Sequence, residues 1–179
     1  MRRQYILGFF FLLGCSGNSI RIQSDFTPDE TMLIKAAIDE WNIATDSLIN
    51  ITIDGTFSQK DAFSINDWKE TRRRFFKITS KDPGYDELCS DGAYEKFVGI
   101  ANESRGNVAL VTDRIGSEDA FYDTVLHELG HLMGLSHADK GIMMEKESPP
   151  IPCIFNEDLL QYCSLNYCGP NAGSTCYLK

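Results

Sequence analysis

The sequence predicts a mixed α/β fold in one domain, on three observations. A helix pattern near residue 27 is followed by several short strand patterns, and a second helix pattern follows those strands. The 179 residues, 42% of them hydrophobic, are enough for one domain with a substantial core. No repeat or linker-like segment divides the chain. Helix, strands and helix within one undivided unit are typical of a mixed α/β architecture.

The first helix has a well-marked start. Thr27 suits the N-cap, Pro28 the first helical position, and Glu30 the third position of a capping box. Apolar residues then follow at the i, i+3, i+4, i+7 spacing of one helix face: Ile34, Ala37, Ile38 and Trp41. This pattern predicts an amphipathic helix that runs to about Thr45.

Strand patterns occupy the middle of the chain. Four runs are expected to form strands: 48–54, 73–80, 97–101 and 107–113. In the first run, isoleucines alternate with polar residues, as in a strand with one buried face. The polar segment 54–74 begins with a turn signal, and 81–92 is expected to be a long loop. A second helix is predicted from about 117 to 134, and a short last helix at 156–162.

The charge balance limits the possible partners. Lys and Arg total 17 against 26 Asp and Glu, which gives a net charge of −9. An acidic surface repels nucleic acid and anionic lipid, so neither is expected to bind this chain directly. Acidity also keeps a protein soluble, and this simpler interpretation is the preferred one.

The N-terminal residues have the pattern of an export signal. A basic start, MRRQ, precedes about ten apolar residues, too few to span a bilayer as a helix. The segment ends in LLGC, with Cys15 last, and resembles a bacterial lipoprotein signal, in which cleavage before the cysteine is followed by its acylation. A plain secretory signal with an incidental cysteine is the alternative.

The lipoprotein interpretation divides the chain into three parts. Residues 1–14 would be the signal peptide, 15–26 a polar tether, and 27–179 the folded domain. It also implies a location: the bacterial cell envelope, where the exported protein would be lipid-anchored at the outer membrane or the cell surface.

Export changes what the remaining cysteines imply. Five follow Cys15 in the chain: Cys89, Cys153, Cys163, Cys168 and Cys176. Disulfides persist outside the cytoplasm, and an odd number allows at most two bridges with one thiol left over. The last three are expected to staple the C-terminal tail, and their spacing lacks the paired CxxC of a zinc ribbon. Which cysteines pair is left open.

The chemistry is concentrated in HELGHLMGLSH (127–137), which holds all three histidines of the chain: His127, His131 and His137. Two histidines four residues apart lie on one helix face, and Glu128 can reach the same space. Neutral imidazoles with one position left to water form the open zinc geometry of a catalytic site. Zinc lowers the pKa of its water, and a nearby carboxylate can take the proton as the water attacks a carbonyl. The pattern predicts a hydrolytic zinc site with Glu128 as general base.

The residues after the second histidine extend this pattern. Gly134 suits the left-handed turn that ends a helix, and such a turn can bring His137 back as a third nitrogen ligand. The helix also has an apolar face that is expected to bury against the sheet: Phe121, Val125, Leu129 and Leu132. The alternative, three histidines with no metal, does not require this order of helix, glycine and third histidine.

The full stretch resembles the HExxHxxGxxH signature of the metzincin zinc metallopeptidases at each defined position. Those proteins have a methionine turn beneath the metal, and GIMM (141–144) follows the motif closely. By this resemblance Met143 is the expected Met-turn residue, with Met144 as the alternative register. The helix at 27–45 and the last helix resemble those of the matrixin-like branch. NVALVTD (107–113) lies where the sheet edge of that family binds substrate as an added strand.

The resemblance implies the fold in more detail. It implies a small twisted mixed sheet, an N-terminal helix, an active-site helix and a C-terminal helix. The upper subdomain would end near residue 134, with the lower subdomain after it. The loop 145–153 would form the wall of the pocket for the substrate residue after the scissile bond.

The resemblance also implies a function, a zinc metalloendopeptidase in which His127, His131 and His137 hold one catalytic ion; calcium is left open. The implied partner is a protein or peptide substrate. No nucleic acid is expected, the membrane would be contacted through the lipid anchor only, and the protein would be a monomer. The alternative is a non-catalytic zinc-containing envelope lipoprotein that binds or adheres to a protein partner. A second, structural zinc site like that of vertebrate matrixins has no histidines left to form it.

Overall fold

The mixed α/β architecture is confirmed by a computed structural model. The residues that it describes are 18–46, 50–59, 61–89, 97–144, 153–165 and 168–176. The expected signal peptide, the lipidation site Cys15 and residues 145–152 of the expected pocket wall lie outside the described residues. Within the described part, a five-stranded mixed sheet is flanked by helices.

The sheet is mixed because one strand runs against the others. Its strands are β1 (Ser19–Gln23), β2 (Thr52–Phe57), β3 (Arg74–Ile78), β4 (Gly99–Asn102) and β5 (Asn107–Val111). Their order is β2-β1-β3-β5-β4, and every neighbouring pair is parallel except β4 with β5. β4 therefore forms an edge of the sheet.

Helices cover both faces of the sheet. They are α1 (Pro28–Ala44), α2 (Ile65–Glu70), α3 (Pro83–Cys89), α4 (Glu118–Leu132) and α5 (Asn156–Leu165). α1 and α4 pack together over one face in the larger hydrophobic cluster, which includes Trp41, Phe75 and Leu126. An aromatic cluster around Trp68 and Phe76 fills the other face. Across the described ranges, no helix has both the length and the apolar character needed to cross a membrane.

The start of α1 agrees with the predicted capping box. Glu30 N donates to Thr27 Oγ1 at 3.2 Å, and Thr27 N donates to Glu30 Oε2 at 2.7 Å. Lys77 Nζ on β3 also donates to Glu30 Oε2 at 2.7 Å. Burial raises the pKa of Glu30, but these hydrogen bonds and the lysine charge outweigh it and hold the pKa below its ordinary value. The cap thus also ties the helix to the sheet.

The N-terminal boundary of the folded domain differs from the expectation. Residues 15–26 were expected to form a tether, but Ser19–Gln23 form β1, between β2 and β3. Ile20 and Ile22 are only 4% and 1% exposed, because they alternate with polar residues and point into the core. Any tether therefore ends before Ser19.

Other elements also differ from the bounds that the sequence predicts. The strand expected at 48–54 lies at β2, a few residues later, and the polar segment 54–74 contains α2. The loop expected at 81–92 contains α3. α2 is held at its start by the Ser64 hydroxyl, which accepts from Asp67 N, and it buries Trp68 in the aromatic cluster. A six-residue helix with one buried residue leaves little periodicity to detect.

The prediction that NVALVTD forms the edge strand is wrong. NVALVTD was expected at the sheet edge, but its residues 107–111 form β5, which pairs with β3 on one side and β4 on the other. All five residues of β5 are buried. A continuous apolar run is typical of an interior strand, and the less apolar β4 takes the edge.

Two disulfides fix the C-terminal tail, as expected. They join Cys153 with Cys176 and Cys163 with Cys168. The tail also reaches the first helix, since Thr175 Oγ1 donates to Glu40 Oε1 at 2.5 Å. Tyr122 of α4 donates its hydroxyl to the same carboxylate. Glu40 thereby joins α1, α4 and the tail.

Candidate metal centre

At the end of α4 the chain makes the predicted left-handed turn. Gly134 has φ +87°, and the chain reverses there. Gly134 N donates to His131 O at 2.9 Å, and Leu135 N donates to Gly130 O at 3.0 Å. These two bonds form a Schellman motif, which satisfies carbonyl groups at the helix end. The reversal brings the segment that carries His137 back towards the helix.

The three histidine side chains converge. His131 Nε2 lies 3.1 Å from Nε2 of His127 and 3.1 Å from Nε2 of His137. The ligand atoms that the three residues offer all lie within 4.8 Å of one another. Tetrahedral zinc, with bonds of about 2.0–2.1 Å, spaces its nitrogen ligands about 3.3–3.4 Å apart. The group is compatible with a single zinc ion.

Backbone carbonyls set the tautomer of two of the rings. His127 Nδ1 lies 2.7 Å from Ile142 O, and His131 Nδ1 lies 2.8 Å from Leu135 O. A carbonyl oxygen can only accept, so each Nδ1 carries the proton and donates it. Both Nε2 atoms then present lone pairs to each other with no proton between them. These facing lone pairs repel each other, and a cation bound between them would remove the repulsion. Hydrogen bonds from Nδ1 to backbone carbonyl groups are also typical of histidines that bind a metal.

Burial keeps these imidazoles neutral. Burial, helped by the charges of the neighbouring histidines, lowers the pKa of His127 to about 4, although the bond to Ile142 opposes the shift. Burial also lowers the pKa of His131, against the bond to Leu135. Neutral imidazole is the form that binds metal, so protons compete little for these two nitrogens at neutral pH.

Glu128 lies in a dry environment on the same helix. The residue is 5% exposed, and its Oε2 has no hydrogen-bond partner among the described residues. Burial raises the pKa of Glu128 to about 8. A buried carboxyl group without a partner is costly, which marks it as a candidate for chemistry rather than for stability. A cation held by the histidines would favour its charged form.

The structure distinguishes the two methionines of the GIMM turn. Met143 is fully buried, and a Cβ placed on Gly130 would lie 2.3 Å from its Sδ atom. Met143 therefore packs directly against the helix that carries the histidines. Met144 is half-buried, and its backbone forms a bridge with Ala138.

Asp158 is a supporting residue that the sequence patterns did not reveal. It lies in the first turn of α5 and is 2% exposed. Its carboxylate accepts from Ile142 N at 3.1 Å, from Phe155 N at 2.9 Å and from Met143 N at 3.4 Å. Burial raises the pKa of Asp158, although these bonds oppose the shift. Asp158 thus holds the turn whose Ile142 carbonyl accepts from His127.

Residues 89–138 match the model of the Reprolysin-like metallo-peptidase family M12B. No curated protein matches the chain. The matched segment contains β4, β5, α4 and all three histidines. The match and the three-histidine group support a zinc metallopeptidase.

Several solved structures are similar to the chain. The zinc-dependent peptidase from Methanocorpusculum labreanum has a TM-score of 0.49 and 14% identity, covering 80% of this chain and 98% of that one. Archaemetzincin from Archaeoglobus fulgidus, complexed with malonate, has a TM-score of 0.43 and 11% identity, covering 80% and 90%. Myroilysin has a TM-score of 0.35 and 18% identity, covering 87% and 54%.

Proposed function

We propose that this protein is a zinc-dependent metalloendopeptidase of the metzincin type, close to the matrixin-like branch, which hydrolyses peptide bonds in proteins. The observation that carries the proposal is the convergence of three imidazole nitrogens, two of them on the helix that also carries the buried Glu128. A structural zinc site has no need of a carboxyl group kept dry at its side.

In this mechanism His127, His131 and His137 would hold the ion, and the Nδ1 bonds of the first two keep their rings oriented. Zinc bound there would lower the pKa of the attacking water and polarise the peptide carbonyl. Glu128 takes the proton of that water and delivers it to the leaving amine. A general base works best with a pKa near the working pH, and burial moves Glu128 in this direction.

Met143 would serve as the Met-turn residue beneath the site. It contacts Gly130 between the two helical histidines and contributes an apolar, dry surface. Its role is to support the ligand helix by packing, and it is not a ligand. Asp158 holds the backbone of the same turn.

The decisive test compares the purified chain with Glu128→Gln and Glu128→Ala variants. Bound zinc and cleavage of a peptide library are measured for each. We expect all three proteins to hold one zinc ion and only the unsubstituted chain to cleave. Glu118→Gln, an exposed glutamate in the first turn of α4, is the control and should cleave normally.

Two outcomes would contradict the proposal. If every protein holds zinc and none cleaves, the site is structural, and the alternative of a non-catalytic zinc-containing envelope lipoprotein stands. If Glu128→Ala cleaves as fast as the unsubstituted chain, the general base is another group.

We also infer that Cys15 is acylated and tethers the protein to the bacterial envelope. The support is the apolar segment that ends in LLGC. Cys15→Ser should move the protein from the membrane fraction to the soluble fraction. Unchanged partitioning would contradict the anchor and leave the peptidase proposal untouched.

A further inference from the structure

Gly99, the first residue of the edge strand β4, lies against the buried glutamate. A Cβ built on Gly99 would be 2.7 Å from Glu128 Oε1 and 2.8 Å from Glu128 Cγ. Carbon atoms in van der Waals contact are about 3.5–4.0 Å apart, so these separations leave no room for a methyl group. The carboxyl group of Glu128 occupies the volume that any side chain at position 99 would need.

Thr124 makes the same contact one helical turn earlier. Its Cγ2 atom would lie 2.7 Å from a Cβ on Gly99. Its hydroxyl donates to Ala120 O at 2.7 Å, which fixes the side chain with the methyl group towards the strand. Two successive turns of α4 therefore meet the backbone of β4 at this one glycine.

Packing, rather than hydrogen bonding, confines the glutamate. Oε2 of Glu128 is buried, and no polar atom of the described residues bonds to it. No hydrogen bond of Oε2 fixes the side chain, so the rotamer of Glu128 depends on the groups that pack around it. One of those walls is the bare backbone of Gly99.

We propose that Gly99 is a positioning residue for Glu128: because it has no side chain, the carboxyl group can lie between the edge strand and α4, the helix that carries His127 and His131. A methyl group at this position would push the carboxyl group out of that space or force the strand away from the helix. The catalytic part of this inference rests on the proposed peptidase function. The contact itself does not.

The contact is tested by thermal unfolding of the purified chain, both with zinc and after chelation. Gly99→Ala should lower Tm by about 3–9 °C, as expected when a packed contact is overfilled. In a Glu128→Ala background, where Oε1 and Cγ are absent, the same change should lower Tm by less than half as much. A Thr124→Ser background, which removes only the methyl group, should relieve the loss to a smaller degree.

Gly116→Ala is the matched control. Gly116 precedes α4, and a Cβ there would meet nothing within 4 Å. This variant should keep the Tm, zinc content and cleavage rate of the unsubstituted chain. It separates the effect of adding a methyl group from the effect of adding it beside Glu128.

The catalytic consequence is tested by kinetics on the same proteins. A displacement of about 1 Å in a reacting group can cost 10²-fold, so Gly99→Ala should lower kcat by about 10–100-fold. KM should stay within about threefold, and the zinc content should stay at one ion per chain. If Gly99→Ala alone does not fold, recovery of folding in the double variant with Glu128→Ala supports the contact.

Two results would overturn the proposal. One is a Gly99→Ala protein with unchanged Tm and unchanged kcat. The other is a Tm loss that is the same with and without the Glu128 side chain, which would place the effect in the strand itself. If the unsubstituted chain cleaves no peptide, the proposed function fails, and the unfolding experiment still decides whether Gly99 confines Glu128.

Discussion

Removal of the Asp158 carboxylate should weaken the metal centre, although Asp158 is not one of the proposed ligands. The Asp158 carboxylate accepts hydrogen bonds from the backbone N–H groups of Ile142, Met143 and Phe155. Ile142 in turn presents its carbonyl to His127. An Asp158→Ala variant would leave three N–H groups without their acceptor and free the turn that carries this carbonyl.

The size of the effect follows from those three groups. A buried donor left without an acceptor costs about 1–3 kcal/mol. Ile142 and Met143 are buried, but the bond of Met143 is long, and Phe155 is only half-buried. The sum is about 3–5 kcal/mol in the free energy of unfolding, which corresponds to about 8–15 °C in Tm. Asp158→Asn keeps one acceptor oxygen and should lose about half as much.

The assay combines unfolding with zinc competition. Thermal unfolding gives the stability loss, and titration against a chelator gives the zinc affinity. Substitution of a group that supports a metal ligand commonly weakens binding by 10–100-fold, and we expect about tenfold for Asp158→Ala. Unchanged zinc affinity in a destabilised Asp158→Ala protein would refute the argument, because the turn would then hold its shape without the carboxylate.

Three further predictions concern stability. Gly130→Ala should cost about 1–3 kcal/mol in urea unfolding, because its Cβ would lie 2.3 Å from Met143 Sδ; a neutral result would mean that the methionine has room to move. Loss of the Cys153–Cys176 bridge, with both replaced by serine, should cost about 3 kcal/mol for a sequence separation of 23, and a cost below 1 kcal/mol would contradict this. Burial raises the pKa of Glu30, but its hydrogen bonds and a lysine charge lower it more, so its folded pKa lies below 4.5. Its stabilising contribution is therefore present above pH 4.5 and lost as the pH falls through the folded pKa; unfolding measured from roughly pH 6 to 3 should show a smaller loss for Glu30→Gln, and equal losses would contradict the assignment.

The parts of the fold that the sequence predicts are those with local signals. The capping box of α1 lies within four residues, and the apolar face of α4 repeats every three or four positions. The same local logic brings His127 and His131 together, since four residues make one turn of helix. The third histidine follows from one left-handed glycine.

The parts that the sequence does not predict depend on contacts between distant segments. Asp158 follows another acidic residue at a helix start, where the helix dipole alone explains acidic side chains. Gly99 lies within a strand pattern, where a glycine by itself indicates only a weak strand. Its role depends on its contact with Glu128 and Thr124 of α4, which the sequence does not show. β1 was missed because Arg21 between two isoleucines makes a five-residue strand resemble a polar linker.

The hydrogen bonds of Glu40 join segments that are far apart in the sequence. Its carboxylate accepts hydrogen bonds from the hydroxyl groups of Tyr122 and Thr175, which lie 82 and 135 residues further along the chain. Burial of a carboxylate before such partners arrive costs several kcal/mol. The cap of α1 is local, whereas these two bonds on its buried face form only when α4 and the tail pack against it. The histidine helix packs on α1 as well, so one buried carboxylate links the support of the metal centre to the C-terminal tail.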